Sequence, residues 1–326
     1  MRRREFIAGL GFTAASPALA YAQQRAMPVI GYVSGSIIKL AERSLANVRK
    51  GLAEYGYVEG QNFRFEFREA NFQYDLLPIL FRELVDLKVS VIAVDATAKL
   101  ESAKAATQSI PIVFNIGIDP VENGFVASLN RPGGNITGSF NLFLILTGKR
   151  LEVLHELLPS VKKFAFILDP ANTTIANAQL LLAQAAADSL GLNLVRLNAH
   201  TPDDFESAFA TAIREGAGGM VVGADALFFV FPTQMARLAA QYRLPAIYID
   251  YEPVLEGGLI SYGTDQDESF RLVGTYAARI LKGEKPADMP VQQLTKTKFV
   301  INLKTAKALG IAVPISLLGR ADEVIE

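Results

Sequence analysis

Apolar residues along this chain come in short runs separated by stretches with helical spacing. The runs at 29–33, 89–94, 112–114, 164–168, 193–197, 219–222 and 246–249 are mostly continuous and rich in β-branched or aromatic residues. They predict parallel strands covered on both faces. The segment Phe63-Arg64-Phe65-Glu66-Phe67 alternates strictly, which predicts a strand with one face toward solvent. Between the runs, Phe205, Ala208, Phe209, Ala212 and Ile213 fall on one face of a helix. Thr201-Pro202-Asp203-Asp204 supplies its cap, a first-turn proline and acidic residues at the positive helix end. Pro78 sits in the first turn of a helix predicted over 75–87. Gly56, Gly191 and Gly283 each follow a helical stretch, where a left-handed residue is needed.

The strand–helix succession runs through the chain twice, with onsets near 29, 63, 90 and 112 and again near 164, 193, 219 and 246. Residues 116–150 interrupt it with Asp119-Pro120 and Arg131-Pro132-Gly133-Gly134. A second break at Glu256-Gly257-Gly258 precedes another short run, a long helix over about 266–282, a run at 299–303 and a helical tail. An eight-stranded α/β barrel has no use for the long break or for elements after the eighth unit. Two doubly wound parallel-sheet α/β lobes, joined by a multi-strand hinge, account for both. The expected boundaries are 28–140 plus 264–326 for lobe 1 and 141–263 for lobe 2.

Composition refines the picture. The 326 residues are half hydrophobic, enough for two cores, and the net charge of −1 offers no basic excess for a nucleic-acid partner. Residues 1–22 read as a signal peptide: Arg2, Arg3 and Arg4 precede a short apolar stretch, Pro17 and a small-x-small site at Ala20-Tyr21-Ala22. Arg3-Arg4-Glu5-Phe6-Ile7 is similar to the twin-arginine export motif. Cysteine is absent, so neither disulfides nor a lipid-bearing cysteine are available. An exported, soluble, periplasmic protein without a lipid anchor is the expectation.

Catalytic chemistry finds little support. The two histidines, His155 and His200, belong to a Leu-rich helical pattern and to a helix cap. No P-loop, dinucleotide turn or G-x-S-x-G elbow occurs. No cofactor, metal or catalytic residue is expected, although an exported α/β hydrolase or lyase using an acidic pair stays an alternative, as does a ligand sensor of the same fold. Open α/β sheets bind ligands at the carboxyl ends of their strands. In the first lobe those ends carry Ser34, Ser36, Thr97, Asn115 and Gly117, small and hydroxyl residues suited to a carboxylate facing helix N-termini. In the second, Asp169, Asp225 and Asp250 make an acidic rim for an ammonium group, with Phe228, Tyr248 and Tyr262 as aromatic lining. Asp119, Asn141 and Asn172, close to strand ends, complete the candidate set. Such a site suits an amino-acid-like or aromatic carboxylate.

Several longer strings carry a family likeness: Met27-Pro28-Val29-Ile30-Gly31, Gly51-Leu52-Ala53-Glu54-Tyr55-Gly56-Tyr57-Val58-Glu59-Gly60-Gln61-Asn62, Ser128-Leu129-Asn130-Arg131-Pro132-Gly133-Gly134-Asn135-Ile136-Thr137-Gly138, and Ile301-Asn302-Leu303-Lys304-Thr305-Ala306-Lys307-Ala308-Leu309-Gly310. Across essentially the whole mature chain they resemble the type I periplasmic solute-binding proteins of ABC importers, in the branch similar to tryptophan- and phenylalanine-binding members. Asp95-Ala96-Thr97-Ala98 departs from the Gly-Thr-Pro-Ala-like turn more usual there. The resemblance implies a non-enzymatic, monomeric substrate-binding component that captures a small-molecule ligand between its lobes and passes it to an ABC permease of the inner membrane.

Overall fold

The computed structural model describes residues 27–326; the expected signal peptide lies outside the described residues. The first half of the chain runs β1 (Val29–Ser34), α1 (Glu42–Ala53), β2 (Arg64–Glu69), α2 (Leu77–Asp86), β3 (Val91–Val94), α3 (Thr97–Ala106), β4 (Ile112–Ile116) and β5 (Ile136–Asn141). The second half continues with α4 (Leu146–Leu157), β6 (Lys163–Leu168), α5 (Thr173–Leu190), β7 (Asn193–Asn198), α6 (Asp204–Arg214), β8 (Met220–Val222), α7 (Ala226–Val230), α8 (Pro232–Gln241), β9 (Ala246–Tyr248), α9 (Glu252–Leu255) and β10 (Ile260–Thr264). It closes with α10 (Gln266–Leu281), β11 (Gln292–Leu294), β12 (Thr297–Asn302), α11 (Leu303–Leu309), α12 (Ile315–Leu318) and β13 (Glu323–Ile325).

These strands form two sheets, ordered β11-β5-β4-β3-β1-β2 and β13-β12-β10-β9-β8-β6-β7. All pairings between them are parallel except β10 with β12. The continuous apolar runs are explained by burial on both faces. Along β3, Val91 and Ala93 enter the core on one side of the sheet, and Ile92 and Val94 enter the core on the other. In β6, Ala165 and Ile167 face one core while Phe164, Phe166 and Leu168 face the second. The alternating β2 is the edge strand of its sheet.

Each sheet reverses its strand order once, beside β1 in the first and beside β6 in the second. Those two points define where loops splay apart and leave a crevice. Helices α1 and α10 pack closely across one face of the first sheet. Gly51 and Gly274 permit it, since a Cβ on either would lie within about 2 Å of a carbonyl oxygen of the facing helix (1.9 Å from Arg271 O and 2.0 Å from Val48 O).

The lobe boundaries expected from sequence need one correction. Residues 264–294 supply α10 and β11 to the first lobe, but β12 and β13 join the second sheet. The reason is pairing: β12 runs antiparallel along β10 from Ile260↔Ile301 to Thr264↔Thr297, and buries Phe299 and Ile301 in a second-lobe core. The chain therefore passes between the lobes three times, near 142–145, 265 and 295–296.

Candidate functional site

A cavity between the lobes holds about 820 Å3 of empty space, part of it at an open mouth. Its walls come from the two points of strand-order reversal. The first lobe contributes Ser34, Gly35 and Ser36 after β1 and Asp95, Ala96 and Thr97 after β3. The second contributes Asn172 at the start of α5 and Ala224, Asp225 and Ala226 before α7. Rings of Tyr32, Tyr74, Phe143, Phe229 and Phe270 fill in between.

The polar lining is built from both lobes. Ser36 N–H donates to Ser34 Oγ over 3.3 Å, which tightens the turn after β1. Helix α3 begins after Ala96, whose side chain offers no cap, so its first N–H groups face the cleft unpaired by any capping oxygen. Thr97 Oγ1 is buried there with no hydrogen-bond partner. Lys99, two residues on, is buried and ion-paired with Asp95. Tyr32 donates its hydroxyl to Asp95 over 2.6 Å; burial first, and then the Asp95 charge, raise its pKa well above the ordinary phenol value.

Opposite, Asp225 caps α7 by accepting from Leu227 N–H at 2.9 Å. It also accepts from Asn172 Nδ2 at 2.9 Å and from the Tyr74 hydroxyl at 3.2 Å, the last reaching across from the first lobe. Burial, reinforced by the nearby Asp169 charge, pushes the Asp225 carboxyl up to about 6. A carboxylate in this state favours a cationic neighbour, because a positive charge relieves both causes at once. Apolar groups complete the lining: Phe229 and Phe270 pack at 6.0 Å, and Ala41, Val230 and Ile249 line the cavity with them.

Five of the sequence-predicted site residues line this cavity: Ser34, Ser36, Thr97, Asn172 and Asp225. The others do not. Asn115 lies within β4 and Gly117 follows it, one strand beyond the reversal, and the Phe143 ring stands against Gly117 where a Cβ would meet it at 2.2 Å. Asn141 is buried at the end of β5, accepting from Phe143 N–H at 3.2 Å. Asp119 caps a turn by accepting from Val121 and Glu122 N–H.

The acidic rim separates into three different roles. Asp169 accepts from Ala171 N–H and faces His200 Nδ1 at 3.1 Å, outside the cavity wall. Asp250 is buried in an ion pair with Arg43 of the first lobe. Of the three, only Asp225 lines the cavity. Phe228 stacks with Phe205 in a core, Tyr248 is fully buried, and Tyr262 packs edge-on against Phe299.

Sequence reading missed Tyr74, Phe143, Phe229, Phe270 and Arg43. Phe229 had a signal: it neighbours Phe228 on a five-residue helix, and one of two adjacent rings must face away from the core. Arg43 also closes the lobes, pairing with Glu252 at 3.3 Å and with Asp267 on its own lobe at 3.1 Å, with the Tyr251 ring 4.7 Å away.

A ligand cleft at the strand-order reversals of two doubly wound lobes defines a type I binding protein. Residues 21–325 match the family of ABC transporter substrate binding proteins, and the chain belongs to it. Among curated relatives it is similar to the tyrosine-binding protein of Clostridioides difficile (strain R20291), with 28% identity over 264 residues, 80% of this chain and 75% of that one. Among solved structures it is similar to a conserved domain protein from Vibrio cholerae, with 26% identity and a TM-score of 0.80. It is also similar to an ABC domain from Streptococcus pneumonia in complex with L-Trp, with 25% identity and a TM-score of 0.78. In both cases 91% of this chain and 99% of the other are covered. The chain is thus a solute-binding protein, of a family whose members bind substrates rather than transform them. Among the described residues no helix is long and apolar enough to cross a membrane, and no group of three metal-ligating side chains occurs.

Proposed function

We propose that this protein captures an aromatic α-amino acid in the inter-lobe cleft and delivers it, as a monomer, to the permease of an ABC importer. The observation that carries this reading is the cleft's lining, which brings Ser36, Thr97 and Asp225 together with five aromatic rings. The ligand carboxylate meets the uncapped start of α3 with Thr97 and Ser36, and its ammonium meets Asp225. Its ring lies among Phe143, Phe229 and Phe270. The relatives named for tyrosine and solved with L-Trp support the same class. A ligand touching both lobes prefers the closed arrangement, and that difference drives closure.

Calorimetry of the unloaded protein against L-tyrosine, L-tryptophan, L-phenylalanine, L-leucine and glucose tests this. Micromolar binding of the aromatic amino acids is expected, roughly 8 kcal/mol. Binding of glucose with no response to any amino acid overturns the reading. Export to the periplasm through the twin-arginine route is part of the same proposal, supported by Arg3-Arg4 ahead of the short apolar stretch. Residues 1–24 fused to a folded reporter should carry it out of the cytoplasm, and replacing both arginines with lysine should stop it. Undiminished export of the double variant removes the twin-arginine assignment.

A further inference from the structure

Arg150, in the first turns of α4, is completely buried, and among the described residues no carboxylate pairs with it. Its Nη2 donates to Phe143 O and to Thr147 Oγ1, each at 3.0 Å, and its Nη1 reaches Tyr262 O at 3.5 Å. Its Nε has no partner. Burial alone draws its pKa down to about 9. A buried cation held only by neutral oxygens is costly, so its partners need a reason.

Two of the carbonyl partners lie on or beside inter-lobe segments. Phe143 follows β5 on the first crossing, and Tyr262 belongs to β10, which feeds the second. Phe143 is pinned from both sides of its backbone: its N–H donates to Asn141 Oδ1 at 3.2 Å and its carbonyl accepts from Arg150. Its ring is pressed against Gly117 of the first lobe and forms part of the cleft wall. A ring so placed on a hinge segment moves with the hinge unless something holds it.

We infer that Arg150 is a positioning residue for ligand recognition: it ties the first crossing segment to β10, the strand that leads into the second crossing, and thereby fixes the Phe143 ring as the wall against which the ligand's aromatic ring packs. The inference rests on the aromatic amino-acid reading above. Gly117 is the other half of the device, because only a residue without a side chain leaves the ring its seat. A Lys at 150 cannot reproduce it, since a point ammonium lacks the planar fork that reaches separate carbonyls.

The test compares wild type, Arg150→Met, Arg150→Lys and Gly117→Ala by calorimetry with L-tyrosine and L-leucine, and by urea unfolding without ligand. The ratio of the two affinities is the deciding readout, because a merely structural role lowers stability without changing it. Arg150→Met and Gly117→Ala should each weaken L-tyrosine binding at least tenfold while L-leucine changes little, so the preference for the ring collapses. Arg150→Lys should recover only part of it. Should Arg150→Met not fold, Gly117→Ala carries the test with Arg150 intact. An unchanged ratio in the variants that fold, whatever happens to their urea midpoints, overturns the inference while leaving the functional reading standing. Wild-type protein that binds no aromatic amino acid overturns both.

Discussion

Asp225 shows how one side chain is tuned for its ligand at a cost to the empty protein. Its pKa in the folded state, about 6, lies above the ordinary carboxyl value of 3.8, so the folded protein holds this proton more tightly than the unfolded chain. This carboxyl therefore costs stability above about pH 6, and the cost is relieved as the pH falls from 6 toward 4. Two pH units correspond to at most about 3 kcal/mol. Asp225→Asn keeps the shape and should raise the ligand-free stability at pH 7.5 by about 1–3 kcal/mol, seen in urea or thermal unfolding. The same change should weaken amino-acid binding about tenfold or more, since a charge-assisted bond is lost. In the wild type, affinity should drop about tenfold between pH 7.5 and pH 5, because only the ionised form attracts an ammonium group. An Asn variant with the same pH profile would assign the titration elsewhere. Asp225, Ser36 and Thr97 are readable from sequence because strand-end loops follow from local pattern. Tyr74 and Arg43 are not, since each owes its place to a partner more than 150 residues away.

At the level of elements, hydrophobic spacing is a good guide wherever burial itself makes the pattern. Glycines at 56, 191 and 283 do take positive φ after their helices, at +85°, +63° and +101°. Strands β1 to β4 and β6 to β10 coincide with runs visible in the sequence: the central ones are covered on both faces and so apolar throughout, whereas β2 and β7 lie at sheet edges and are only partly buried. The strands β11 and β13 leave no such trace. Each has three residues and little buried surface, and β13 reads Glu-Val-Ile at the edge of its sheet. Which loops form the site follows from strand order, and order is a property of pairing that periodicity does not contain. Asn115 and Tyr248 stand at the carboxyl ends of buried strands just as Ser34 does, yet they lie one strand or more from a reversal point and so are lost to the cleft.

For the whole molecule, closure is written in the contacts that bridge the lobes. Arg43 on α1 meets Asp250 and Glu252 of the second lobe, and the Tyr251 hydroxyl donates to Asp267 on α10 at 2.6 Å. Opening must separate the buried Asp250 from the Arg43 guanidinium. Arg43→Ala should leave Asp250 unpaired in the closed form and shift the ligand-free protein toward open lobes. Small-angle scattering should show a larger radius of gyration without ligand, returning to the wild-type value on saturation, with affinity lowered severalfold. A ligand-free radius equal to that of wild type would mean that the pair does not govern closure. The threefold passage between lobes has another consequence, in the order of manufacture. The first sheet waits for β11 at Gln292–Leu294, and the second waits for β12 and β13 in the last thirty residues. Domains commonly mature one after another as a chain emerges, the amino-terminal one first. Here that succession is closed off: neither lobe has all its strands until the segment from β11 to β13 has been made, and a nascent chain that stops short of β12 leaves β10 with a bare edge open to other strands.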